Sequence, residues 1–247
     1  MKDPRATGTG SNVESIDALL KRLGVTAHYR PGTSDERVLR EVLVTSPYRR
    51  KRIGFDVERG EHWLDLGANI GAFAVYCRMR GATADCYEPD EGCFEILRQN
   101  TAGLGFRCFR TAVSTRFDEY LPFWTSKSET DHHRGTTFPM KTVPLKGNVP
   151  NLHMRYVLDG TKYDGAKIDI EGTEGEILDA GLLPDCNKLA LEYHLWRDPS
   201  MQHLRDRLAF LRTRFKTVSY PPEFDRMLAS GYTENTSYYD RLVFCMR

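Results

Sequence analysis

His62-Trp63-Leu64-Asp65-Leu66 runs without interruption into Gly67-Ala68-Asn69-Ile70-Gly71-Ala72-Phe73. The first five residues are a short, mostly apolar run of strand type. The two glycines allow the backbone to turn tightly and approach a bound group, and the segment that follows has helical character, with its first N–H groups free. Working outward from this strand–loop–helix, the chain alternates. Strands are expected near 62–67, 83–88, 106–113, 164–170 and 187–195, and helices near 70–80, 91–103, 173–181 and 200–213. Alternation at this spacing predicts an α/β fold with a mostly parallel sheet covered by helices on both faces. Phe215–Tyr220 and Tyr238–Met246 read as two strands with no helix between them, an antiparallel pair closing that sheet.

Upstream, Ser11 followed by Glu14 has a capping-box pattern, and Ile16, Leu19, Leu20 and Leu23 form a helical apolar stripe ended by Gly24. A second helix is expected from Ser34 through Val38, Leu39, Val42 and Leu43. The expected organisation is a loose tail over residues 1–12, a helical cover over 13–60 and one main domain over 61–247.

Composition excludes several classes. Of the 247 residues 40% are hydrophobic and 28% charged, which rules out a disordered or low-complexity chain. Thirty-five Lys and Arg against 34 Asp and Glu give a net charge of +1, so no global basic field demands a nucleic acid. The longest apolar-looking run, Trp63–Cys77, is broken by Asp65 and Asn69 and is too short to span a bilayer. No signal peptide is visible. The six cysteines are scattered without metal-site spacing, and read as reduced thiols of a cytoplasmic protein.

The glycine loop carries the functional reading. Glu88, at the end of the second strand, can accept both ribose hydroxyls of an adenosine. The loop lacks the middle glycine of the dinucleotide fingerprint, and Asp65 stands two residues before Gly67. A carboxylate there opposes a pyrophosphate but suits an ammonium or sulfonium, so the loop points to S-adenosylmethionine rather than NAD.

Trp63–Phe73, Tyr87-Glu88-Pro89-Asp90 and Lys167-Ile168-Asp169-Ile170-Glu171-Gly172-Thr173-Glu174 together resemble the FkbM family of S-adenosylmethionine-dependent methyltransferases, over roughly residues 40–195. The resemblance implies the class I methyltransferase fold, a seven-stranded sheet with an antiparallel last strand. It also implies O-methylation of sugars, polyketides and related small molecules. Carried over by motif, Asp65, Gly67, Ala68, Asn69, Gly71 and Phe73 would surround the methionine end of the cofactor. Glu88 and Pro89 would meet the ribose, Asp90 the region of the adenine, and Thr111, Ala112 and Val113 would flank the ring.

Lys167, Asp169 and Glu171 alternate along an expected central strand, where unpaired charges cost several kcal/mol each, on the order of the burial penalty for a relaxed interior. Asp169 falls at the carboxyl end, where open α/β sheets bind ligands. Glu192 and His194 share a face of the next strand. Asp169 or His194 is the candidate base for an acceptor hydroxyl, with Glu192 as orienting partner, and Lys167 either assists or pairs with a carboxylate. Asp169 with Glu192 is also a candidate Mg²⁺ pair. Glu171, Glu174, Trp124, His132, His133 and Arg134 are candidate acceptor contacts, the last four on a segment, 121–150, long enough for a lid. Two basic clusters, Arg49–Arg52 and the helix near 200–213, keep a ribose 2′-O-methyltransferase acting on RNA as the alternative. A protein that binds the cofactor without turnover is the remaining one.

Overall fold

A strand covered on both faces has to be apolar throughout, and four of the five residues of β1 (His62–Leu66) are buried. The computed structural model describes residues 14–125, 135–137, 139, 144–195, 197–230 and 241–247. β1 lies between β2 (Thr83–Tyr87) and β8 (Gly165–Ile168), parallel to both, with Asp65 in register with Cys86 on one side and Lys167 on the other. The sheet continues through β3 (Arg107–Phe109) beyond β2, and through β9 (Lys188–Tyr193), β11 (Arg241–Met246) and β10 (Thr217–Ser219) beyond β8. The seven strands therefore run β10-β11-β9-β8-β1-β2-β3, with β11 antiparallel to both of its neighbours.

Alternate residues of β1 feed opposite faces. Trp63 packs into a cluster with Phe55, Phe73 and Phe244, while Leu64 and Leu66 pack into a second with Ile168, Leu191 and Phe224. The connections α3 (Ala72–Arg80), α4 (Glu91–Thr101), α6 (Glu174–Asp179) and α7 (Met201–Arg214) carry the chain from one parallel strand to the next. The N-terminal cover joins the first cluster through Ile16, Leu19 and Leu20 of α1 (Ile16–Leu23), Leu39 of α2 (Ser34–Arg40), and Val42 and Leu43 in the π turn that follows. Asn100 of α4 ties the cover to the glycine loop: its amide accepts from His28 N at 2.6 Å and donates to Ile70 O at 2.7 Å.

Several details differ from the sequence reading. The cap of α1 is Ser15, whose hydroxyl accepts from Ala18 N at 3.2 Å; Ser11 and the rest of the tail lie outside the described residues. The strand expected over 106–113 is two, β3 and β4 (Ala112–Ser114), because β4 leaves the main sheet to pair with β7 (Leu145–His153). Segment 121–150 contributes β5 (Tyr120–Thr125), β6 (Gly135–Thr136) and most of β7, which with β4 make a four-stranded sheet ordered β4-β7-β5-β6. Residues 126–134, 138 and 140–143 of the segment expected to form a lid lie outside the described residues. A helix, α8 (Pro222–Ser230), lies between β10 and β11, where none was expected. β8 ends at Ile168, so Asp169 and Glu171 stand beyond it, and Glu171 has a left-handed backbone, φ 54°.

The glycine loop closes against β8. A Cβ on Gly67, where φ is +77°, would lie 1.8 Å from the Asp169 carbonyl oxygen. Gly67→Ala should therefore destabilise the fold by about 2–4 kcal/mol, combining left-handed strain with overpacking against backbone. Urea unfolding reads this directly.

Candidate active site

The ends of β1, β2, β8 and β9 open onto one cavity of about 490 Å³. Its floor is the glycine loop. Gly67 N and Ala68 N both donate to Tyr87 O at 3.0 Å, which fastens the loop to the end of β2. Asn69 takes a left-handed backbone, φ 52°, and its side chain accepts from Ile70 N at 2.7 Å. That local bond makes the conformation affordable for an asparagine. Glu88 accepts from Asn69 N at 2.8 Å and from Asp90 N at 2.7 Å. Burial pushes its carboxyl up to about 7, against the pull of those two amides. Asp90 caps α4 by accepting from Cys93 N at 3.0 Å. Burial would raise its carboxyl, but the bond from the Lys146 ammonium and the cap hold it below its usual value.

Glu88, Pro89, Asp90, Thr111, Ala112 and Val113 all line the cavity, as do Gly67, Ala68, Asn69 and Phe73. Gly71 and Asp65 do not. Gly71 packs under α4, where a Cβ would lie 2.8 Å from Leu97. Asp65 is fully buried behind Lys167, whose ammonium is 3.1 Å from Asp65 Oδ1, 3.0 Å from Gly67 O and 3.7 Å from Asp169 Oδ2. Burial works against both charges. The two carboxylates keep the Lys167 ammonium charged well above its ordinary range, and the Asp65 carboxyl is raised by burial against the pull of Lys167. Asp65 thus faces a lysine instead of opening onto the cavity, and among the described residues its Oδ2 has no hydrogen-bond partner.

Asp169, Glu171 and Glu192 are half-buried on the cavity wall. His194 is elsewhere. It is buried with Nδ1 2.9 Å from Glu174 Oε1 and Nε2 3.4 Å from Glu171 Oε2. β9 ends at Tyr193, and past its end His194 no longer follows the alternation. Burial would neutralise the ring, but Glu174 and Glu171 hold it protonated well above the ordinary histidine range. Glu174 in turn accepts from Ile170 N at 2.9 Å and Gly172 N at 3.1 Å, so the pair fixes the loop that presents Asp169 and Glu171.

Asp169, Glu174 and His194 do bring ligand atoms within 4.8 Å of one another, a different set from the Asp169–Glu192 pair expected for Mg²⁺. Glu174 is committed to the Ile170 and Gly172 amides and to His194, and no step is assigned to a metal.

Trp124 is half-buried and does not line the cavity; its neighbours Phe123 and Thr125 do. His132, His133 and Arg134 lie outside the described residues. The cover, unexpectedly, forms one wall with Arg37, Glu41, Tyr48 and Arg50 among others. No motif announces these four, since the cover reaches the site only by tertiary packing. The arginine cluster 49–52 did draw attention in the sequence, though for nucleic acid.

This sheet order, with a glycine loop and an acidic β2 end at the cleft, is that of a class I, S-adenosylmethionine-dependent methyltransferase. The family model described as the methyltransferase FkbM domain matches residues 65–217, more than half of the chain, and the chain belongs to that family. No curated protein matches it. Solved structures similar in fold include the METTL16 methyltransferase domain, at 13% identity over 93% of this chain and 75% of that one, with a TM-score of 0.47. Another is a methyltransferase from Pyrococcus furiosus, at 12% identity over 94% and 93%, with a TM-score of 0.45. Fibrillarin from Aeropyrum pernix in complex with S-adenosylmethionine matches at 13% identity over 78% and 70%, with a TM-score of 0.43. Among the described residues no helix is long and apolar enough to cross a membrane.

Lys167 is the counter-charge of a buried carboxylate. Lys167→Met should cost about 3–5 kcal/mol, the usual penalty for stranding one member of a buried ion pair. Adding Asp65→Asn should restore part of that loss. A single mutant as stable as the parent in chemical denaturation would contradict this account.

Proposed function

We propose that this enzyme transfers a methyl group from S-adenosylmethionine to a hydroxyl oxygen of a sugar or another small polyhydroxylated molecule. The observation that carries the reading is one cavity lined at one end by Glu88, Asp90 and Thr111–Val113 and at the other by Asp169, Glu171 and Glu192. Bound there, the cofactor supplies an electrophilic methyl on a sulfonium.

The chain's own residues do the rest. Glu88, its two oxygens already oriented by backbone amides, accepts the ribose hydroxyls. Tyr87 and Phe109, stacked at 4.7 Å, stiffen the sheet edge below the adenosine end. Asp169 accepts the proton that the acceptor hydroxyl loses as it attacks. The Lys167 ammonium stands 3.7 Å from that carboxylate and helps to orient it. Glu192 and Glu171 accept hydrogen bonds from neighbouring hydroxyls and hold the acceptor in line with the sulfur–methyl bond, where positioning supplies much of the rate. His194 keeps Glu171 and the 170–172 backbone in place.

Carboxylates suit a polyol, each oxygen accepting from a hydroxyl, and repel a phosphodiester. That favours a small neutral acceptor over RNA, the second reading. The test is methyl-labelled S-adenosylmethionine offered with a panel of neutral sugars and with short capped and uncapped RNA. Methyl ether formation on a sugar, reduced about 100-fold or more by Asp169→Asn without loss of S-adenosylhomocysteine affinity, is the expected outcome. Label confined to RNA ribose would transfer the assignment to the second reading.

Glu88 supplies a pH signature. Ribose hydroxyls stabilise its charged form, so binding lowers a carboxyl that stands near 7 without ligand. Affinity for S-adenosylhomocysteine should therefore rise as pH goes from 6 to 8, with proton release on binding near pH 7. Calorimetry in two buffers of different ionisation enthalpy measures the release, and Glu88→Gln should abolish it.

A further inference from the structure

The Tyr48 side chain comes from the N-terminal cover, is 96% buried by the cover and α3, and yet lines the cavity. Its ring stands edge-on to Phe73, at 4.7 Å, just past the glycine loop. Among the described residues its hydroxyl has no hydrogen-bond partner. The ring is buried but the hydroxyl is not sealed off, so it opens on the cavity, where a ligand can complete it.

The cavity walls are segregated by charge. From the strand ends and the β2–α4 turn come Glu88, Asp90, Asp169, Glu171 and Glu192. The one lysine among them is already engaged by Asp65 and the Gly67 carbonyl. The cover brings Arg37, Tyr48 and Arg50, with Glu41 as its single acid. A ligand carrying both an ammonium and a carboxylate meets acids on one side and donors on the other. The amino-acid end of S-adenosylmethionine is such a group, and Tyr48 stands over the loop where that end belongs. Burial, together with Asp169 and Glu192 nearby, keeps the phenol protonated despite Lys167, so it is a standing donor.

We infer that the cover binds the amino-acid end of the cofactor, with the Tyr48 hydroxyl donating to its α-carboxylate. The inference rests on the cofactor reading above and adds a role for a segment outside the family match, which begins at residue 65. It also explains why a helical cover is tied through Asn100 to the glycine loop: both halves of one ligand site have to be held in register.

The test compares two ligands on the full chain by calorimetry. S-adenosylhomocysteine carries the amino-acid end, and 5′-methylthioadenosine keeps the adenosine and sulfur but lacks it. Tyr48→Phe should weaken S-adenosylhomocysteine about 10-fold, the value of one hydrogen bond to a charged group, and leave methylthioadenosine unchanged. The unliganded melting temperature should not fall, because the lost hydroxyl had no partner. Unchanged S-adenosylhomocysteine affinity, or equal weakening of both ligands, would overturn the inference. Arg37→Met and Arg50→Met, on the exposed side of the cover, carry the same comparison, and at least one should discriminate between the two ligands. If the parent protein bound neither ligand, the cofactor reading itself would fall, a result distinct from loss of discrimination.

Discussion

Everything at the cleft depends on one buried cation. Lys167 reaches from β8 to Asp65 on β1 and to the carbonyl of Gly67, and so fixes the end of one central strand, the start of the glycine loop and the position of Asp169 together. Burying charge is expensive, and the pair is tolerable because the charges meet each other and the ammonium also bonds the Gly67 carbonyl. An apolar pair of the same volume would fill the space, but it would set neither the loop's height nor the charge beside Asp169.

A second buried pair does similar work one strand over. His194 and Glu174 lock the turn after β8, with Glu174 taking the Ile170 and Gly172 amides. The two pairs bracket Asp169 from either side. The residue best placed for chemistry is thus half-exposed on a short turn whose neighbours are immobilised, the usual arrangement for a site built on rigid elements. His194, a candidate base in the one-dimensional pattern, is buried against Glu174 and Glu171.

The cover and the small second sheet give the cleft its walls. Both contribute through packing: the cover through its share of the Trp63 and Phe73 cluster, the second sheet through Phe123 and Thr125 on β5. The family match spans the motifs that would hold the cofactor, while much of the remaining wall comes from parts of the chain without motif character. That division explains why cofactor chemistry is easier to read here than acceptor chemistry.

By itself the sequence determined the sheet, its parallel core and the cofactor loop, because each rests on local patterns: buried runs of strand length, glycines at a turn, an acid at a strand end. It also marked Lys167, Asp169 and Glu171 as charges needing a reason. Only the tertiary structure decided what each charge meets. Lys167, Asp169 and Glu171 all reach the cavity although β8 ends at Ile168, and Glu192 lines it too, whereas His194, past Tyr193, does not. Asp65 turned inward because Lys167 sits opposite it in register. Tyr48 reached the cavity because α1 and α2 pack on the far side of β1, some residues upstream of any motif. Strand periodicity is a local property, whereas ion-pair partners and cavity walls are set by segments far apart in the chain. For that reason the fold and the charged residues of the cleft were legible from the sequence, and what each charge pairs with was not.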